Sequence, residues 1–396
     1  MTLLGAPVEF WLFGLTLLGI AVFHKRSLEV ALLGLAVTLA FKLAVTGFAE
    51  GPGGAGLLGH VEREWVTFAN LALLILGFSV LADQFEQSRI PEAIPRVLPP
   101  GWVGGFVLLV LIFILSTFLD NIAAAVIGGV VARHVYDGKV GVGYLASIVA
   151  ASNAGGAGSV IGDTTTTMIW LAGISPLQVA GGFIGSGVAL LVFGIAGAIG
   201  QERFAALKRA QAHLPEPIDW ARTAVVFLIL ATLIAVNIVG NGILPALYAT
   251  GPFLGLGLWV AILVTALWRR PKWSVLTGAS KSALFLVALV ALASLMPVNQ
   301  LPPASVATAF GLGILSAVFD NIPLTALALK QGGYDWGMLA FSVGFGGSMI
   351  WFGSSAGVAL TGLFPQGRSV VRWLRSGWHV PLAFAIGFAA MAAILR

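Results

Sequence analysis

Between Ser116 and Trp170 the chain sets acids, amides, hydroxyls and glycines inside apolar sequence long enough to cross a membrane. Ser116-Thr-Phe-Leu-Asp120-Asn121-Ile122 is followed by Ala151-Ser152-Asn153-Ala-Gly155-Gly156-Ala-Gly-Ser159-Val-Ile-Gly162-Asp163-Thr164-Thr165-Thr166-Thr167. Lipid cannot hydrogen-bond an open backbone. Such a stretch must therefore be buried in protein or line a watery cavity. An ionisable residue at that depth is first of all a candidate functional site.

That reading requires the rest of the chain to lie in a membrane, and composition decides the matter. Hydrophobic residues make up 58% of the chain and charged residues 9%, with a mean hydropathy of +0.98. A soluble domain carries about 25% charged residues. The expected fold class is an all-α polytopic membrane protein. Long unbroken apolar runs exclude a β-barrel, whose strands are about 10 alternating residues. With no cysteine there is no disulfide or thiol chemistry. The net charge of +5 reads as loop charge and not as nucleic-acid affinity. The cluster His24-Lys25-Arg26 follows the first apolar run, so that run is not expected to be a cleavable signal.

Ten full spans are expected, at about 7–23, 27–48, 65–82, 143–170, 177–200, 220–240, 252–268, 280–296, 336–363 and 380–395. Two further apolar pairs, about 102–132 and 304–330, are each interrupted by Asp-Asn. Their arms are short for full spans, and both read as re-entrant helical hairpins. With the N-terminus outside, 17 of the 21 Lys and Arg fall in cytoplasmic segments, which supports that orientation. The charge bias does not separate a hairpin from two spans, because either adds an even number of crossings. Tryptophans near span ends, such as Trp102 and Trp336, read as interface anchors.

A repeat carries more weight. The motif at Ser116–Ile122 recurs 200 residues later as Ser316-Ala-Val-Phe-Asp320-Asn321-Ile322. The glycine-rich segment finds a weaker echo in Gly346-Gly347-Ser348-Met-Ile-Trp-Phe-Gly353-Ser354. Each half then has the order hairpin, loop, glycine-broken span, and the two hairpins open to opposite sides. That is an inverted repeat, in which matching interrupted segments point to a transport site at the midplane. The expected organisation is N-terminal scaffold spans in 1–64 and a first repeat in 65–200, with its broken helix at about 143–170. A cytoplasmic link and connecting span follow in 201–251, then a second repeat in 252–396 with its broken helix at about 336–363. The start of the link reads as an interfacial helix stopped by Pro215 and Pro217.

Of the 16 acids, only Asp120, Asp163 and Asp320 fall where this map puts the protein interior, and no Arg, Lys or His is expected beside them. A carboxylate buried without a partner is costly, so it takes up a proton or a cation. A site of this kind binds either H⁺ or a small metal cation, and the competition couples the two. Hard cations want oxygen ligands. Asn121, Ser152, Asn153, Ser159, Thr164, Thr165, Asn321, Ser348, Ser354 and Ser355 supply them, with carbonyls freed at Gly155, Gly156, Gly346 and Gly347. The bland alternatives are helix capping by the acids, tight helix packing at the glycines, and threonines that bond only their own helix. His134 reads as a loop residue. No nucleophile–His pair is expected at depth, which argues against an enzyme.

These residues resemble those of the NhaD-type sodium/proton antiporters, within the ion transporter superfamily that also holds citrate, dicarboxylate and arsenite carriers. The resemblance rests on Phe118-Leu-Asp120-Asn121, on Asn153 through Trp170, on Asp320-Asn321-Ile-Pro323, and on Gly346 through Ala359. It implies a citrate transporter-like inverted-repeat fold, a homodimer, and a scaffold part with a moving transport part. It also implies Na⁺ or Li⁺ exchanged for H⁺ across a bacterial inner membrane, with no cofactor. Na⁺ would sit at Asp120, Asn121, Asp163, Asp320 and Asn321. Carboxylate carriers of the superfamily tend to show Ser-Asn-Thr at the hairpin tips, whereas this chain has Asp-Asn-Ile at both. An anion symporter or an arsenite exporter is the alternative.

Overall fold

The computed structural model describes residues 2–3, 6–23, 26–93, 98–207, 217–248 and 250–395. His24, Lys25, Arg96, Lys208, Arg209, Pro215 and Arg396 lie outside the described residues, as does the 208–216 part of the expected interfacial helix. Apart from a two-residue antiparallel pair, Thr2–Leu3 with Ala6–Pro7, the described chain is helical. The helices are α1 (Val8–Val22), α2 (Ser27–Phe41), α3 (Gly53–Glu86), α4 (Ile90–Ala93), α5 (Trp102–Ser116), α6 (Asn121–Val135), α7 (Val142–Gly156), α8 (Thr164–Leu171), α9 (Pro176–Ala180), α10 (Gly182–Phe204), α11 (Trp220–Gly242), α12 (Pro245–Tyr248), α13 (Phe253–Ala266), α14 (Val275–Ser294), α15 (Val306–Ser316), α16 (Asn321–Gln331), α17 (Trp336–Gly346), α18 (Ser355–Leu363), α19 (Val370–Ser376) and α20 (His379–Ile394).

Among the described residues, five helical segments are individually long and apolar enough to cross a bilayer: Ser27–Thr46, Gly53–Glu86, Pro176–Phe204, Trp220–Gly240 and Val275–Ser294. Helices α19 and α20 form a sixth candidate, bent by 61°. Several of the remaining expected spans are shorter apolar helices, and two are helix pairs broken at glycine. This is an all-helical, multi-pass membrane protein. Helix α3 departs from the span expected at 65–82, because it begins at Gly53 and runs for 34 residues. At 1.5 Å per residue that is about 51 Å, longer than the roughly 30 Å hydrocarbon core. The helix continues through polar sequence because the polar groups find partners. Glu50 receives the guanidinium of Arg63 at 2.6 Å, and the His60 ring lies 3.0 Å from the Ser294 hydroxyl.

The chain divides into two compact units, Met1–Ser88 with Asp219–Leu301, and Arg89–Ile218 with Pro302–Arg396. This is a different division from the sequence repeat, whose first copy begins at 65. In the first unit α3 packs on α13 and α14, α11 on α13, and α14 on α2. Buried polar groups join these helices, as side chains do where lipid gives no hydrophobic drive. Asn70 Oδ1 accepts the Gly255 N–H at 2.9 Å, and the Trp259 indole donates to the Leu73 carbonyl at 2.9 Å.

In the second unit α5 packs on α7, and α15 on α17. Helix α10 lies against α7, α17 and α20. Phe341, Phe345 and Phe384 stack there with interplanar angles of 6–19°. The short helices cross between halves, α6 packing on α18 and α16 on α8. The site lies among these four.

Candidate functional site

Four helices begin where the sequence places its acids and glycines. Asp120 caps α6, accepting the Ile122 N–H at 3.5 Å, and Asp320 caps α16, accepting the Ile322 N–H at 3.1 Å. Their backbones nearly coincide, at φ −52°, ψ 140° and φ −54°, ψ 142°. Asp163 caps α8 through the Thr165 N–H at 3.0 Å, and Ser354 caps α18 through the Gly357 N–H at 3.3 Å. The capping reading of these residues therefore holds for all three acids, and it does not exhaust them. A capping carboxylate has about four acceptor positions and uses one on its helix.

The remaining positions converge. Asn121 donates to Asn153 Oδ1 at 3.1 Å. The Asn153 amide in turn donates to the hydroxyls of Ser348 at 2.9 Å and Ser354 at 3.1 Å. Asn321 donates to Asp163 Oδ2 at 3.3 Å, and Ser355 donates to Asp320 Oδ2 at 3.3 Å. Asn121, Asn153, Asp163, Asn321, Ser348 and Ser354 are buried, while Asp120, Asp320 and Ser355 are half-buried. Thr164 opens α8, half-buried beside Asp163. The structure thus gathers both Asp-Asn helix starts and both helix breaks into one polar cluster.

Two residues singled out from sequence play a more local part. The Ser152 hydroxyl turns back to the Val149 carbonyl of its own helix at 2.9 Å. The Thr165 backbone N–H serves Asp163 as its helix cap. Ser159 spans the first break, donating to the Thr117 carbonyl at 2.5 Å and accepting the N–H groups of Ile161 and Gly162 at 3.3 Å. His134 is exposed in the last turn of α6.

The glycines allow a close approach of backbones. A Cβ on Gly155 would stand 2.1 Å from the Phe113 carbonyl oxygen, and one on Gly346 would stand 2.2 Å from that of Gly313. Neither distance is possible for a real Cβ, so only glycine lets α7 lie this close to α5 and α17 to α15. Beside each contact a serine ties the same elements. Ser116 donates to the Ser152 carbonyl at 2.5 Å and Ser316 to the Val343 carbonyl at 2.6 Å.

These two serines were within the repeated motif but were not expected as site residues; their identity in both copies was the available signal. Thr166 and Thr167 were also missed. The Thr166 hydroxyl donates to the carbonyls of Ser159 at 2.5 Å and Asp163 at 2.8 Å, and Thr167 to those of Val160 and Asp163 at 2.9 Å. They staple the first break to α8 and hold Asp163 in place.

Electrostatically the cluster is acidic. Among the described residues no Lys, Arg or His lies within ion-pair distance of Asp120, Asp163 or Asp320. Three carboxylates without a basic partner must be neutralised by protons or by cations. The groups around them are amide, hydroxyl and carboxylate oxygens, the donor set of a hard cation.

No protein-family model matches the chain. It is similar to Sodium/proton antiporter 1 of Arabidopsis thaliana, at 31% identity over 327 residues, which are 72% of this chain and 53% of that protein. It is also similar to the Na(+)/H(+) antiporter NhaD of Alkalimonas amylolytica, at 25% identity over 382 residues, 83% of this chain and 77% of that one. The NhaD of Halomonas elongata is 27% identical over 383 residues, 83% of this chain and 75% of that one. The chain thus spans about half the length of the Arabidopsis relative and about three quarters of the bacterial ones.

Proposed function

This chain is a relative of the NhaD-type sodium/proton antiporters, and from that premise we propose that it exchanges cytoplasmic Na⁺ or Li⁺ for H⁺ by alternating access. The observation that carries the reading is the set of Asp120, Asp163 and Asp320, each capping a helix start, with the Asn321 amide on Asp163, the Ser355 hydroxyl on Asp320 and, among the described residues, no basic partner. Deprotonated, it attracts a small cation; protonated, it is neutral and releases it. One set of carboxylates thereby serves both ions in turn, which is the requirement for exchange. The proposed Na⁺ ligands come from Asp120, Asn121, Asp163, Asp320 and Asn321, with Asp163 as the principal carboxylate.

The finer architecture belongs to the same proposal. The matching caps of α6 and α16 and the matching glycine contacts of α7 and α17 support an inverted repeat with two re-entrant hairpins. About ten crossings, an N-terminus outside, a bacterial inner membrane and a homodimer complete it. The division into 1–64, 65–200, 201–251 and 252–396 rests on the repeat alone. Citrate or dicarboxylate symport is less well supported. It would use helix N-termini to hold an anion, and here three of the four are capped by acids.

The experiment uses proteoliposomes with an imposed pH gradient and an internal pH dye. Na⁺ or Li⁺, but not K⁺, should dissipate the gradient in the wild type and fail to do so with Asp163→Asn. Silence to every chloride salt, with labelled citrate or arsenite moving instead, would overturn the proposal.

A further inference from the structure

The two broken helices match in register at their glycines, Gly155-Gly156 against Gly346-Gly347, which sets Asn153 against Gly344. In the first copy the Asn153 side chain fills its place and is the partner of Asn121. In the second copy position 344 has no side chain. A Cβ built there would lie 3.5 Å from Asp163 Oδ2 and 3.4 Å from the Ala157 Cβ. That same Oδ2 takes the amide of Asn321, the counterpart of Asn121. Where Asn121 finds an amide of its own half, Asn321 finds the carboxylate of the other half, on the same oxygen that faces Gly344.

We infer that Gly344 is a specificity-determining residue of the exchange, because its missing side chain leaves room for the larger cation beside Asp163 Oδ2. The inference rests on Asp163 being a cation ligand. A methyl at 3.4–3.5 Å from its neighbours is in ordinary van der Waals contact. Alanine is therefore accommodated without a backbone shift, and what it removes is an approach to the oxygen. A methyl has no lone pair to give in exchange for the water or ion it displaces. Na⁺ is larger than Li⁺ and loses the approach first.

The test compares wild type, Gly344→Ala, Asp163→Asn and the double variant Gly344→Ala/Ala157→Gly in proteoliposomes, with Na⁺ and Li⁺ each titrated as substrate or as competitor. Gly344→Ala should raise the KM for Na⁺ by about tenfold and that for Li⁺ by no more than about twofold. The double variant removes the methyl of Ala157 and leaves the one beside Asp163, so the Na⁺ defect should persist. Equal changes for the two ions, no change for Na⁺, or recovery of the Na⁺ KM in the double variant would overturn the inference. If Asp163→Asn itself keeps wild-type KM values, the reading of Asp163 as a ligand has failed instead.

Discussion

The most informative perturbation is Asp163→Asn. Asparagine keeps an oxygen to accept the Thr165 N–H that Asp163 now accepts at 3.0 Å, so the cap of α8 survives. Its amide nitrogen then faces the Asn321 amide, donor against donor, where the carboxylate accepts at 3.3 Å. A rotation of either amide relieves this, and the stability cost is about 1 kcal/mol or less. The lost charge matters far more. A cation about 2.5 Å from a carboxylate oxygen is attracted by about 7 kcal/mol at an effective dielectric of about 20. The carboxylate's own desolvation cost disappears with its charge and the asparagine oxygen still ligates the cation, and together these offset more than half. About 3 kcal/mol remains, a loss of over a hundredfold in affinity. Exchange measured against rising Na⁺ should then show a KM beyond the accessible range, with a melting temperature close to wild type. A KM within a few-fold of wild type, in a folded Asn variant, would refute the assignment of the charge.

Four other expectations follow from the same geometry. Gly155→Ala and Gly346→Ala, each driving a methyl to within 2.2 Å of a carbonyl oxygen, should lower stability by about 3 kcal/mol or more. Gly187→Ala in α10, with nothing within 4 Å, should be neutral or stabilising by up to about 1 kcal/mol; thermal melts in detergent compare them. Asn153→Ala leaves the Asn121 amide and two serine hydroxyls short of a partner, costing about 1–3 kcal/mol and reducing exchange at saturating Na⁺. If H⁺ and Na⁺ compete for the same carboxylates, as proposed, the apparent KM for Na⁺ should rise as pH falls, by up to about tenfold per pH unit where one proton competes. A KM independent of pH would contradict the shared site. Asp219, at the start of α11, is held below the ordinary 3.8 by the Arg222 N–H and by the Arg269 guanidinium. A depressed carboxylate contributes stability above its unfolded value and loses it as pH falls through the folded one. Asp219→Asn should therefore melt earlier than wild type at pH 7, and the two should converge in acid well below 3.8.

Much of the local structure is legible in the sequence because its causes are local. Apolar runs announce helices in a membrane. Asp-Asn interrupts each of the two apolar pairs, and the structure starts α6 and α16 there. Gly155-Gly156 and Asp163 bound the first break, where the chain stops one helix and caps the next. The length of α3 was not legible. Its polar first turns persist because Glu50, at its approach, and Ser294, far along the chain, receive them.

What the sequence alone determined is therefore a membrane-embedded helical chain with three interior acids, two matching tips and two glycine breaks. Which tip meets which break was decided only by the tertiary structure. Asn321 reaches Asp163 across 158 residues, and Asn153 reaches Ser348 across 195. No periodicity or spacing encodes such a pairing. It follows from the close backbone contacts at Gly155 and Gly346, which bring α7 against α5 and α17 against α15. It follows also from the packing of α6 on α18 and of α16 on α8, which carries the polar ends of one half into the other.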